Sequence, residues 1–173
     1  MARALIVGCG CRGRLLGERL AAAGWAVRGT SRREEGRAAI EAAGLEAAPA
    51  DPERPGTVLD LVADVAVVYY LLGSARGPAA ELAAIHGPRL ERLLEKLVDT
   101  PVRGFVYEAV GAVEPALLAG GAELVRSAGD TWRIPHAVVE AGDPTAALAG
   151  PGAEAEWAGA MADLALQLLR PGR

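Results

Sequence analysis

The chain has 173 residues, 51% hydrophobic and only 4% aromatic, with a formal net charge of −4. That length suits a single domain spanning 1–173 whose core is mostly Ala, Leu and Val. The basic residues are scattered, which excludes a nucleic-acid footprint. The longest apolar run, Val65 to Leu72, is too short to span a bilayer, and no secretory leader is visible, so a cytoplasmic location is expected.

In chain order, Ala4-Leu5-Ile6-Val7 reads as a buried strand and Gly8-Cys9-Gly10-Cys11-Arg12-Gly13 as a glycine-rich turn. Arg14 to Ala23 reads as a helix stopped by Gly24, and Trp25 to Thr30 as a second strand. Strand, G-x-G-x-x-G turn, helix and strand form the dinucleotide-binding fingerprint. Gly8 permits the tight turn, Gly10 opens the backbone to a pyrophosphate, and Gly13 brings the helix close to the sheet. The N-terminus of the following helix then offers free N–H groups and a positive dipole end to phosphate, with Cys11 and Arg12 of the loop among the expected cofactor-binding residues. The Arg12 side chain either reaches phosphate or points to solvent. Cys9 and Cys11 either fill a tight turn or form a redox-sensitive pair. A C-x-C pair alone makes no zinc site, and no metal is expected.

The second strand ends in Thr30-Ser31-Arg32-Arg33, with no acid before Glu34. Asp or Glu at this point would accept from the ribose 2′-hydroxyl of NAD. Ser31, Arg32 and Arg33 instead suit a 2′-phosphate, so the expected cofactor is NADP. The alternative is that both arginines are solvated charges opening a helix.

Glu46 to Ala50 is a weak third strand closed by Asp51-Pro52, and Thr57 to Ala63 a short helix. Val65 to Leu71 is uniformly apolar, as a central parallel strand should be. Gly73 to Pro78 is the loop after it. Ala79 to Val98 reads as one long helix with leucines over more than a narrow stripe, leaving apolar surface beyond that needed for sheet packing. Gly104 to Tyr107 is a fifth strand. Pro115 to Ser127 is a helix interrupted at Gly120-Gly121. Ile134 to Val139 is a sixth strand whose proline predicts a sheet edge. Ala153 to Leu169 is the last helix, with Trp157, Met161, Leu164 and Leu168 on a core face. This alternation predicts an α/β doubly wound parallel sheet, a Rossmann fold in strand order 3-2-1-4-5-6, with a ligand crevice at the C-terminal ends of strands 1 and 4.

These stretches resemble the short-chain dehydrogenase/reductase superfamily, and within it the extended or atypical NAD(P)-dependent epimerase/dehydratase-like branch. The resemblance covers roughly the first 110 residues, and its specific part is the first 35. It implies that Asp51 contacts the adenine and that Gly73 and Ser74 line the cofactor. It also implies a homodimer built on the long helix.

The catalytic half departs from that pattern. The family uses a Tyr-x-x-x-Lys pair in which the lysine lowers the phenol pKa. Here Lys96 is the only lysine, and Arg92 stands four residues before it. Tyr69, Tyr70 and Tyr107 are followed four residues later by Gly73, Ser74 and Gly111. Glu108-Ala109-Val110 replaces the serine-rich end of the fifth strand, and the substrate-binding C-terminal region of extended members is expected to be missing. Tyr107 and Glu108 are the remaining catalytic candidates, ending a strand that faces the crevice. Glu140 and Asp143 follow the sixth strand, where substrate contacts could lie, while His86 and His136 read as structural.

Two functions follow: an NADP-dependent oxidoreductase or epimerase-like protein acting on an unknown small molecule, or a catalytically silent NADP sensor. A methyltransferase-like ligand usually wants an acid where Arg32 and Arg33 stand.

Overall fold

A computed structural model describes residues 1–143 and 152–171 of the chain. β1 (Arg3–Val7) leads into α1 (Cys11–Ala22), β2 (Ala26–Ser31) into α2 (Glu34–Ala42), and β3 (Glu46–Pro49) into the short α3 (Pro55–Leu59). β4 (Val67–Tyr70) is followed by α4 (Ala79–Ile85) and α5 (Pro88–Leu97), β5 (Gly104–Ala109) by α6 (Pro115–Trp132), and β6 (His136–Glu140) by α7 (Ala153–Leu168). The strands form one parallel six-stranded sheet in the expected order β3-β2-β1-β4-β5-β6.

Both sheet faces are covered, which is why the central strands are apolar on both sides. Successive side chains alternate between two cores. Leu5, Val68, Tyr70, Phe105 and Tyr107 pack with residues of α3, α5 and α6. Ala4, Ile6, Tyr69 and Val106 pack with residues of α1, α2 and α7. Gly17 lies on the sheet-facing side of α1, where a Cβ would collide with Leu45, so it sets how closely that helix approaches.

Two helices differ from the sequence reading. The segment 79–98 is two helices, because Pro88 inside one helix would lack its N–H and crowd the carbonyl of Ala84. The chain breaks at His86-Gly87, and Pro88 opens α5. Leu90, Leu93, Leu94 and Leu97 are all at most 2% exposed. The leucine surface behind the homodimer expectation is therefore inside the chain's own core. Conversely, α6 runs unbroken through Gly120-Gly121. A Cβ at Gly121 would collide with the Tyr107 hydroxyl, so that glycine makes room for a phenol rather than ending the helix.

At the N-terminal end of the strands, Arg3 and Arg28 pair with Glu46 and Asp64; Arg28 Nη1 also donates to the Leu61 carbonyl at 2.6 Å. Lys96, in the last turn of α5, is exposed. Because α5 runs antiparallel to the strands, that turn lies at the same end of the molecule. Among the described residues, no helix is long and apolar enough to cross a membrane.

Candidate functional site

A cleft of about 520 Å³ opens at the C-terminal ends of β1 and β4. This is where the strand order reverses, and helices leaving in opposite directions open a crevice there. Its floor is the loop Gly8–Gly13. Gly8 adopts φ +79°, and a Cβ there would lie 2.6 Å from the Leu71 carbonyl oxygen. Gly13 packs against Ile6 and Cys9. Gly10 is different: it is the N-cap of α1, at φ −83° and ψ −154°, and a Cβ there would meet nothing within 4 Å. Neither backbone strain nor packing calls for glycine at that position. What it does is leave the helix N-terminus bare, with no side-chain cap and no acid in the first turn. Orphan N–H groups and a positive dipole end facing a cleft fit an anionic ligand such as a pyrophosphate.

Arg12 lines the cleft with its guanidinium 4.1 Å from the centre of the Trp157 ring, so α7 supplies a platform for a side chain of the glycine loop. Ser31, Arg32, Arg33 and Asp51 line the far side. The Arg33 N–H donates to Ser31 Oγ at 3.2 Å, which shapes the turn into α2. Arg32 is about half exposed and lies 3.8 Å from Asp51 Oδ1. Cys11 is exposed on the cleft. Cys9 is buried against Gly29, and burial pushes its thiol up to about 12, which makes it a packing group.

Ser74 lines the cleft, and its Oγ accepts the Ala112 N–H at 3.1 Å, joining the loops after β4 and β5. Gly73 is not part of the lining. A Cβ there would collide with the Val110 carbonyl, so this glycine serves the close approach of those two loops.

Tyr107 and Glu108 do not form a pair facing the cleft. Neighbours on a strand point to opposite faces. Glu108 lines the cleft, 6% exposed, and accepts the Gly73 N–H at 3.0 Å. Tyr107 is fully buried on the other side, its hydroxyl 2.7 Å from His86 Nδ1. The remaining phenols are equally withdrawn: Tyr69 donates to the Met161 carbonyl at 2.8 Å and Tyr70 to that of Ile85 at 2.6 Å. Among the described residues, no phenol lines the cleft. Glu140 pairs with Arg126 at 2.9 Å, and His136 Nδ1 lies 3.1 Å from the Ile134 carbonyl oxygen.

Burial holds the His86 imidazole below its ordinary 6.5. A histidine kept neutral in the folded state contributes stability that is full above the unfolded pKa and is lost as pH falls. Unfolding free energies of wild-type and His86→Gln protein should therefore converge as pH falls below about 6.5. A pH-independent difference between them, measured by denaturant titration, would contradict this.

The sequence reading missed the Trp157 platform under Arg12 and the cleft wall formed by Leu82 and Ile85 of α4. Both depend on contacts between segments distant in the chain, which no local pattern signals.

No protein-family model matches the chain, and no curated protein matches it. Solved structures do. A short-chain dehydrogenase from Streptomyces avermitilis is 22% identical over 96% of this chain and 78% of its own, with a TM-score of 0.63. UDP-glucose 4-epimerase from Thermotoga maritima is 14% identical over 80% of this chain and 54% of its own, with a TM-score of 0.66. Triphenylmethane reductase from Citrobacter, in complex with NADP(H), is 18% identical over 79% of this chain and 48% of its own, with a TM-score of 0.59. The chain spans about half the length of the epimerases it matches. At these identities the similarity shows the fold, which the chain shares with epimerases, a reductase and a short-chain dehydrogenase.

Proposed function

We propose that the chain is an NADP-binding protein of the short-chain dehydrogenase/reductase superfamily, an atypical oxidoreductase or epimerase-like member acting on a small molecule. The observation that carries this reading is Gly10: a glycine with no conformational or packing need, baring a helix N-terminus at the crevice of a Rossmann fold. Gly8, Gly10 and the N–H groups of Cys11, Arg12 and Gly13 would hold the pyrophosphate. Asp51 and Ser74 would border the adenosine and ribose portions. When bound, the nicotinamide supplies hydride transfer.

The choice of NADP rests on Ser31, Arg32 and Arg33 standing where NAD sites carry an acid. A charge-assisted hydrogen bond contributes about 1.5–3 kcal/mol, so NADPH should bind roughly tenfold or more tightly than NADH. Calorimetry checks this: equal dissociation constants would overturn the assignment, and the Arg32→Ala, Arg33→Ala double variant should narrow the gap.

A catalytically silent NADP sensor is the second reading, favoured by the withdrawal of all three tyrosine hydroxyls into the core. The two part on whether NADPH absorbance falls when the protein is offered aldehydes, ketones and nucleotide sugars. Tight NADPH binding without turnover favours the sensor.

A further inference from the structure

Tyr107 and Glu108 point to opposite sides of the sheet, yet one hydrogen-bond chain joins them around its end. The Tyr107 hydroxyl lies 2.7 Å from His86 Nδ1, and His86 Nε2 lies 3.0 Å from the Leu72 carbonyl oxygen. The N–H of Gly73, the other half of that same peptide group, donates to Glu108 Oε1 at 3.0 Å. The directions follow from chemistry. A carbonyl only accepts, so Nε2 carries the imidazole proton; Nδ1 is then the acceptor, and Tyr107 donates to it. Every donor points toward Glu108.

The participants are sequestered: Tyr107 is 0% exposed, His86 2% and Glu108 6%. In such surroundings aligned hydrogen bonds polarise one another. The chain ends at the cleft, and among the described residues no hydrogen bond to Glu108 Oε2 is present. One carboxylate oxygen is anchored and the other is left for a ligand.

We propose that Glu108 is the proton-exchanging group of this cleft, acting on a hydroxyl- or carbonyl-bearing substrate, and that Tyr107 and His86 are positioning residues acting on it through the Leu72–Gly73 peptide. This rests on the reading of the cleft as a reaction site. The carboxylate takes the proton of a substrate hydroxyl: the substrate O–H bond breaks, its electron pair stays on oxygen, and a carboxyl O–H forms. In the reverse direction the carboxyl O–H breaks and its proton goes to the alkoxide oxygen left when a hydride, which the nicotinamide of the proposed function would supply, adds to the substrate carbonyl carbon.

Burial raises the Glu108 carboxyl above its ordinary value, while the Gly73 N–H and the Arg12 charge act against that rise. Arg12 of α1 is the cation whose field reaches it; Arg14, Arg32, Arg33, Arg76, Asp51, Glu53 and Glu81 are the other charged groups along the cleft. Removing a donor upstream in the chain weakens the hydrogen bond that favours the carboxylate, so the Glu108 midpoint must move up.

The test is a carboxyl ¹³C NMR titration of the whole protein without added ligand, with Glu108→Gln assigning the signal. Tyr107→Phe should shift the Glu108 midpoint upward and His86→Leu further. His86→Gln, whose amide N–H can donate to the same carbonyl, should fall between wild type and His86→Leu. Identical midpoints in folded Tyr107→Phe and His86→Gln proteins would overturn the positioning role. In turnover with NADPH and an aldehyde and ketone panel, Glu108→Gln should cost about 10²–10⁴-fold. Full turnover in Glu108→Gln, or none in wild type, overturns proton exchange. Shifted midpoints in a protein that binds no NADPH by calorimetry count against the cofactor reading alone.

Discussion

Replacing Gly10 with Asp is expected to leave the protein at least as stable as wild type while weakening NADPH binding by about 100-fold or more. The two halves of this expectation have opposite signs, which is its use. Any residue can adopt the Gly10 backbone angles, and its Cβ would point into open space. Asp is a better N-cap than Gly by a few tenths of a kcal/mol, and a negative charge at a helix N-terminus adds about 0.3–1 kcal/mol. A carboxylate at contact distance from a phosphate group costs about 4 kcal/mol at an effective dielectric near 20. Even two-thirds of that is a hundredfold in affinity. Thermal denaturation and calorimetry read the two effects separately. A large loss of stability would give Gly10 a structural role, and unchanged NADPH affinity would remove the pyrophosphate from this loop.

Trp157→Ala should cost about 3–5 kcal/mol, a large share of the 5–15 kcal/mol typical of a domain. The indole is 1% exposed and packs among residues from β1, β4 and α1, so little can collapse into the space it leaves. The variant also strips Arg12 of its aromatic platform, an interaction that contributes about 0.5–2 kcal/mol. Trp157→Phe keeps a ring and should lose less. Denaturant unfolding measures both; a cost below about 1 kcal/mol for the alanine variant would mean that α7 is not docked as described.

The parts of this molecule that read clearly from sequence are those whose cause is local. Gly8, Gly10 and Gly13 stand between an apolar run and a helical one, so the pattern that marks them is local, even though Gly8 also lies against the distant Leu71 carbonyl. The strand order follows once the glycine fingerprint selects the dinucleotide-binding arrangement among right-handed doubly wound sheets. The errors arise where two local signals conflict or a distant residue decides. Leucine spacing over 79–98 suggested one helix, although Gly87-Pro88 carried the stronger steric objection. Gly120-Gly121 suggested an interruption, but the space at Gly121 is claimed by Tyr107 from a strand across the core. Pairing Tyr107 with Glu108 disregarded the two-residue period of a strand. The His86 link to Leu72 and the Arg12 contact with Trp157 exist only once the chain is folded.

Lys96 gives the protein a practical polarity. It is the chain's single lysine, exposed in the last turn of α5 at the end of the molecule opposite the cleft. Amine-directed coupling therefore has one side-chain address. A dye, a surface or a bead attached there leaves the mouth of the cleft open to solution. Ligand binding can then be followed on a tethered molecule whose orientation is set by the chain itself.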